Sequence, residues 1–221
     1  MLVGCQGPKI TLEEARERAA EILEHWENNP FPTKFSYTLE EKYQLSDSTY
    51  QYTESITLDV AGKYLYIEIS ESDGQETTGF KEWLYYDSGA NKTYLVAEDD
   101  DTKGHGFYDG DAFESSNPVD DFDELPIFYF FEHLSELMSS PEHEDDRTEF
   151  EYRSRGFGDL YMKGQVVTGE FEGATRVVEI ADYLLTQDST KFDENNYSYL
   201  NAKYKGFPTP KPNLLEYPYG I

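Results

Sequence analysis

Apolar residues first recur at intervals of three and four. Leu12, Ala15, Ala19, Ile22, Leu23 and Trp26 form one stripe opposite a face of Glu and Arg, the spacing of an amphipathic helix. Thr11-Leu12-Glu13-Glu14 has the form of a capping box, in which the Thr11 hydroxyl and the Glu14 carboxylate satisfy the first free amides. The pattern predicts a helix over 12–28. Asn28-Asn29-Pro30-Phe31-Pro32 ends it, because neither proline can continue the hydrogen-bond ladder.

The period then changes to two. Phe35, Tyr37, Leu39, Tyr43 and Leu45 alternate with polar residues, as do Tyr50, Tyr52, Ile56, Leu58 and Val60, predicting long strands with one buried face. Further strands are expected at 64–70, 81–87 and 93–98, joined by short connections rich in Gly, Asp, Asn and Ser that favour antiparallel neighbours. From Glu98 to Glu124 the alternation stops and eleven acidic residues gather, so a long connection is expected there. The run from Leu125 to Met138 is apolar over most of its circumference, with Pro126 suited to a first turn, and predicts a second helix near 126–138. Strand patterns return at 148–155, 160–167, 175–185 and 197–204. Pro208, Pro210, Pro212 and Pro218 mark an extended tail over 206–221 that lies against the body or hangs free.

The fold class expected from these elements is α+β: a strongly curved antiparallel sheet, a half-barrel of about nine strands, covered by the two helices. It occupies 11–205 as one domain, after a short N-terminal segment over 1–10.

Composition narrows the partners. Eighteen basic against 45 acidic side chains give a net charge of −27, which excludes nucleic acid as a partner. No stretch reaches the roughly 20 apolar residues needed to span a bilayer. The single cysteine, Cys5, rules out an intrachain disulfide, and its setting is informative. Leu2-Val3-Gly4-Cys5-Gln6 resembles a bacterial lipobox, in which the cysteine carries the lipid. That resemblance implies an extracytoplasmic lipoprotein held at the cell membrane through Cys5. An acyl tether also suits the charge, since so acidic a surface is repelled by anionic headgroups.

The succession of helix, meander, apolar helix and strands over 11–205, taken with the lipobox, looks like the lipoprotein-carrier architecture of the LolA and LppX groups. This resemblance implies that a lipid-like ligand is bound or carried between sheet and helices; it transfers no contact positions, and the apolar run itself offers Phe128, Phe131, Leu134 and Met138 as the ligand-binding residues. The same side chains would equally serve as solid core. The alternative function is a surface lipoprotein that binds protein or glycan and holds no internal ligand. Strand aromatics Trp83, Tyr85 and Tyr86 are candidates for such a surface, or for cross-strand packing.

Catalytic and metal motifs are not matched. Asp99-Asp100-Asp101-Thr102-Lys103-Gly104 puts Lys103 where a calcium loop needs an oxygen, and Gly110 stands at its twelfth position. His143-Glu144 begins like a zinc-peptidase helix, but Arg147 occupies the place of the second ligand. No nucleophile elbow, phosphate loop or dinucleotide fingerprint occurs. The expectation is therefore a protein that is not an enzyme and has no metal or cofactor.

Overall fold

The computed structural model describes residues 7–28, 34–45, 48–108, 113, 131, 133, 134, 137, 138, 147–169, 171–204 and 211–220. Its elements are β1 (Lys9–Ile10), α1 (Leu12–Asn28), β2 (Lys34–Leu45), β3 (Ser48–Asp59), β4 (Tyr64–Ser72), β5 (Thr77–Asp87), β6 (Lys92–Asp99) and β7 (Lys103–Phe107). They continue with β8 (Thr148–Arg153), β9 (Leu160–Val166), β10 (Thr175–Ala181), β11 (Leu184–Lys191), β12 (Tyr197–Tyr204) and a 3-10 turn (Leu214–Glu216). The hydrogen-bonded strand order is β1-β8-β9-β10-β11-β12-β2-β3-β4-β5-β6-β7.

This corrects the expected half-barrel of nine strands under two helices: twelve strands are present, and α1 is the one continuous α-helix among the described residues. Three strands account for the difference. β1 is two residues long. β7 reads Lys-Gly-His-Gly-Phe and shows no apolar alternation. The run expected as one strand over 175–185 is a hairpin, because Asp182 and Tyr183 both take positive φ, 51° and 65°. That pair of left-handed residues turns the chain in the sense that matches strand twist. Of the expected second helix, Phe131, His133, Leu134, Leu137 and Met138 are described, with helical backbone; the rest of 126–138 lies outside the described residues.

The chain divides into two compact units. The first comprises Met1–Phe31, Lys42–Asp47 and Phe122–Ala202, the second Pro32–Glu41, Ser48–Asp121 and Lys203–Ile221.

In the first unit α1 begins with the expected capping box: Thr11 N–H donates to the Glu14 carboxylate at 2.7 Å and Glu14 N–H to the Thr11 hydroxyl at 3.2 Å. The Thr11 N–H and the Thr11 hydroxyl, both donating to it, hold the Glu14 carboxyl below its usual range. Ala15, Ala19 and Ile22 are then buried against Leu160, Met162, Val178, Ile180 and Leu185 of β9, β10 and β11. The two alanines let the helix approach closely, and Arg16 Nε donates to the Met138 carbonyl at 2.9 Å. The strained turn at Asp182 and Tyr183 is held from the helix side. Trp26 Nε1 donates to the Tyr183 carbonyl at 2.8 Å, and the His25 ring stacks on Tyr183 at 3.9 Å.

In the second unit, β3, β4, β5, β6 and β7 form an antiparallel meander. Ile56, Leu58, Leu65 and Leu84 are buried on one face, while Tyr64, Trp83, Tyr85 and Val96 lie on the other. Ser36 and Thr57 hydroxyls meet at 2.8 Å, and Thr38 and Ser55 at 3.0 Å, setting β2 opposite β3.

Close approach in the first unit supplies a test. A Cβ added at Gly164 would lie 2.2 Å from the Glu149 carbonyl oxygen, whereas one added at Gly156 would meet nothing within 4 Å. Gly164→Ala should cost about 1–3 kcal/mol in denaturant unfolding, since backbone must shift to admit the methyl. Gly156→Ala should stay within about 0.5 kcal/mol of the unaltered chain.

Candidate functional site

Three of the four residues expected to line a lipid site are described, and they sit in one apolar cluster. Phe131, Leu134 and Met138 are buried and packed with Ala15, Ala19 and Ile22 of α1. Phe128 and Cys5 lie outside the described residues.

A cavity of the first unit lies on the other face of its sheet. Side chains alternate along each strand, so with Val178 and Ile180 turned to the core, Val177 and Glu179 face away. Register then aligns residues from four strands in one rung: Arg153 of β8 opposite Tyr161 of β9, Tyr161 opposite Glu179 of β10, and Glu179 opposite Gln187 of β11. These four line a cavity of about 400 Å³. Arg155 and Asp159, from the connection between β8 and β9, complete its polar rim.

The walls are built by local bonds. The Ser154 hydroxyl donates to the Asp159 carbonyl at 2.9 Å, which folds the connection back on itself. Asp159 Oδ1 accepts from the Asp182 N–H at 3.0 Å. Arg153 is paired with Glu151 at 2.7 Å and also donates to the Gly7 carbonyl. Arg155 is exposed and has no ion-pair partner among the described residues. The cleft thus gathers guanidinium, carboxylate, amide and phenol groups in one lining with the small apolar residues Val177 and Ala181. Such a surface offers both hydrogen-bond donors and acceptors to one small polar guest.

The second unit holds a buried polar cluster and an aromatic face. Glu54 is buried and accepts hydrogen bonds from the hydroxyls of Tyr37 and Tyr52, the latter at 2.8 Å. Burial, then the negative charge of Glu54, drive the Tyr37 and Tyr52 phenols well above the ordinary tyrosine range. Burial does the same for Tyr64, Tyr66 and Tyr204. On the aromatic face, Trp83 and Tyr85 share a side with Tyr64, Tyr66 and Tyr94, and the C-terminal residues Leu214 and Tyr217 pack onto them. Tyr86 points the other way, its hydroxyl donating to Asn91 Oδ1 at 2.7 Å.

At the end of β6 the acidic stretch spends one carboxylate on the chain itself. Asp99 accepts from the N–H groups of Asp101 and Thr102, at 2.9 and 2.6 Å, closing the turn into β7. Among the described residues, no group of three or more His, Cys, Asp or Glu side chains is placed to hold a metal ion. His105 and His25 are engaged in ring and backbone contacts, and His143 lies outside the described residues.

The polar rung was not legible in the sequence. Glu179 and Gln187 become neighbours only through the hairpin at Asp182 and Tyr183, and the usable signal was Asp182 standing between two β-rich runs. No family model and no curated protein matches the chain.

The raised phenols give the second unit a defined pH response. The unfolded tyrosine value is near 10, and each folded value lies above it, so the native state keeps protons that the unfolded chain releases. That contribution to stability is complete below pH ~10 and is lost as pH rises beyond it. Burial, with the hydrogen bond to Glu98, pushes Tyr217 up to about 12. Denaturant unfolding should therefore weaken steadily above about pH 10, and near-ultraviolet absorbance should show tyrosinate appearing together with unfolding. Tyr37→Phe should flatten part of that decline.

Proposed function

We propose that the protein is a lipid-anchored, extracytoplasmic binding module that takes a neutral polar ligand of the oligosaccharide class in the cleft of its first unit. The observation that carries this reading is the rung Arg153, Tyr161, Glu179 and Gln187 across four strands, with Arg155 and Asp159 at its rim. A sugar hydroxyl both donates and accepts, so it is matched by guanidinium beside carboxylate. A space of about 400 Å³ falls in the range of small-ligand sites. Tyr161 adds an aromatic surface against which the C–H face of a sugar ring can lie. Phe131, Leu134 and Met138 commit their apolar surface to α1, which favours this surface cleft over an interior lipid space as the working site.

The tether rests on Leu2-Val3-Gly4-Cys5-Gln6 and on the net charge of −27, which leaves acyl chains as the means of attachment to an anionic membrane.

Saturation-transfer NMR against a panel of neutral oligosaccharides should give ligand signals from the unaltered protein. Combined Arg155→Ala and Glu179→Gln should remove them while leaving stability within about 0.5 kcal/mol for each exposed or half-buried site. A silent panel, or signals that survive both substitutions, would overturn the ligand class. For the tether, cells expressing the full-length protein should incorporate labelled palmitate into it, and Cys5→Ala should abolish the label. A labelled alanine variant would remove the anchor.

A further inference from the structure

The C-terminal segment occupies the aromatic face of the second unit in the manner of a bound peptide. Tyr217 sits in a built seat: its ring meets Trp83 edge-on at 5.9 Å, Lys103 Nζ lies 4.2 Å from its centre, and its hydroxyl donates to Glu98 at 2.7 Å. The backbone beyond it is clamped by β7. His105 N–H donates to the Pro218 carbonyl at 2.9 Å, and Gly220 N–H donates to the His105 carbonyl at 3.0 Å. His105 Nδ1 lies 2.6 Å from the Tyr217 carbonyl, so the ring carries its proton on Nδ1 there. The pairing of His105 with Tyr219 is parallel, the geometry of a strand added to a sheet edge.

We propose that this face is a groove for an extended partner peptide carrying a Tyr-Pro pair, and that the chain's own C-terminal segment is its internal competitor.

The segment is an incomplete occupant. Trp83 is 8% exposed, and its Nε1 donor has no hydrogen-bond partner among the described residues. Leaving a buried donor unmet is costly, and a peptide that brings an acceptor to it binds better than the segment does. Leu215 is 95% exposed and adds little to the hold, and Tyr219, 70% exposed, rests one side of its ring on His105 and Phe107. What the groove reads is a phenol with a cation on its face, followed by backbone; Pro218 has no N–H to offer, and the clamp asks for none from it. A tethered segment competes at an effective concentration of order millimolar, which keeps the face closed to weak ligands and opens it to a tighter peptide.

The test uses the full-length chain and a labelled free peptide of the sequence 211–221. Fluorescence anisotropy should show Tyr217→Ala binding the peptide about ten-fold or more tightly than the unaltered chain, because its own segment has lost its aromatic anchor. A peptide with its first tyrosine replaced by alanine should not bind either protein. Leu214→Ala, which trims a half-buried contact, should give a smaller gain in the same direction and serves where Tyr217→Ala does not fold. Equal affinity of variant and unaltered chain, or equal binding of the altered peptide, would overturn the proposal. Light scattering of the unaltered chain should report a monomer. A dimer would assign the groove to the segment of a second copy and overturn the partner reading.

Discussion

A strand at the end of a sheet leaves half its backbone donors and acceptors without a partner, and both ends of this strand order meet that constraint with the chain's own terminal segments. At one end Lys9 and Ile10 pair with Arg153 and Tyr152 of β8. At the other, Pro218 and Gly220 bond to His105 of β7. Each solution is short, because a segment that only needs to satisfy a few groups need not be a full strand. The rest follows from it. Once β8 is fixed by β1, its register sets the rung that forms the polar cleft. Once β7 is fixed by the C-terminal segment, Tyr217 is delivered to the aromatic face.

Faces impose a second demand. In the first unit the apolar side of β9, β10 and β11 is hidden by the stripe of α1, and the choice of alanine at positions 15 and 19 lets the helix lie close. The opposite side is left polar, which is why a cleft rather than a core forms there. In the second unit the aromatic side is covered by a peptide segment instead of a helix. Tyrosine suits that arrangement, since its ring can be buried while its hydroxyl finds an acceptor: Tyr66 reaches Glu68 at 2.7 Å and Tyr217 reaches Glu98.

Much of this was legible where local chemistry and periodicity agree. The capping box at Thr11 and Glu14, the helix stripe to Trp26 and the alternation through β2 to β6 were readable because each depends on neighbours within a few residues. The two-residue β1 and the glycine-broken β7 carry no period. The hairpin at Asp182 and Tyr183 hides because a tyrosine with positive φ runs against intrinsic preference, and it is tolerated through contacts from His25 and Trp26, more than 150 residues away in sequence. The cleft was invisible for the same reason: Arg153, Tyr161, Glu179 and Gln187 share nothing in sequence spacing and meet only by register.

The N-terminal edge has a mechanical consequence. Gly7 is fitted against the Ser154 carbonyl so closely that a Cβ would lie 2.3 Å from it, and the Ser154 N–H donates to the Pro8 carbonyl at 3.3 Å. Any pull on the chain ahead of Gly7 reaches this junction first. It would be borne by the bonds that Arg153 and Ser154 make to the Gly7 and Pro8 carbonyls and by the pairing of Lys9 and Ile10. Their rupture would cost Arg153 its Gly7 anchor while β8 stays paired with β9. A pull at this N-terminal edge and the seating of Arg153 in the cleft would then be opposing variables.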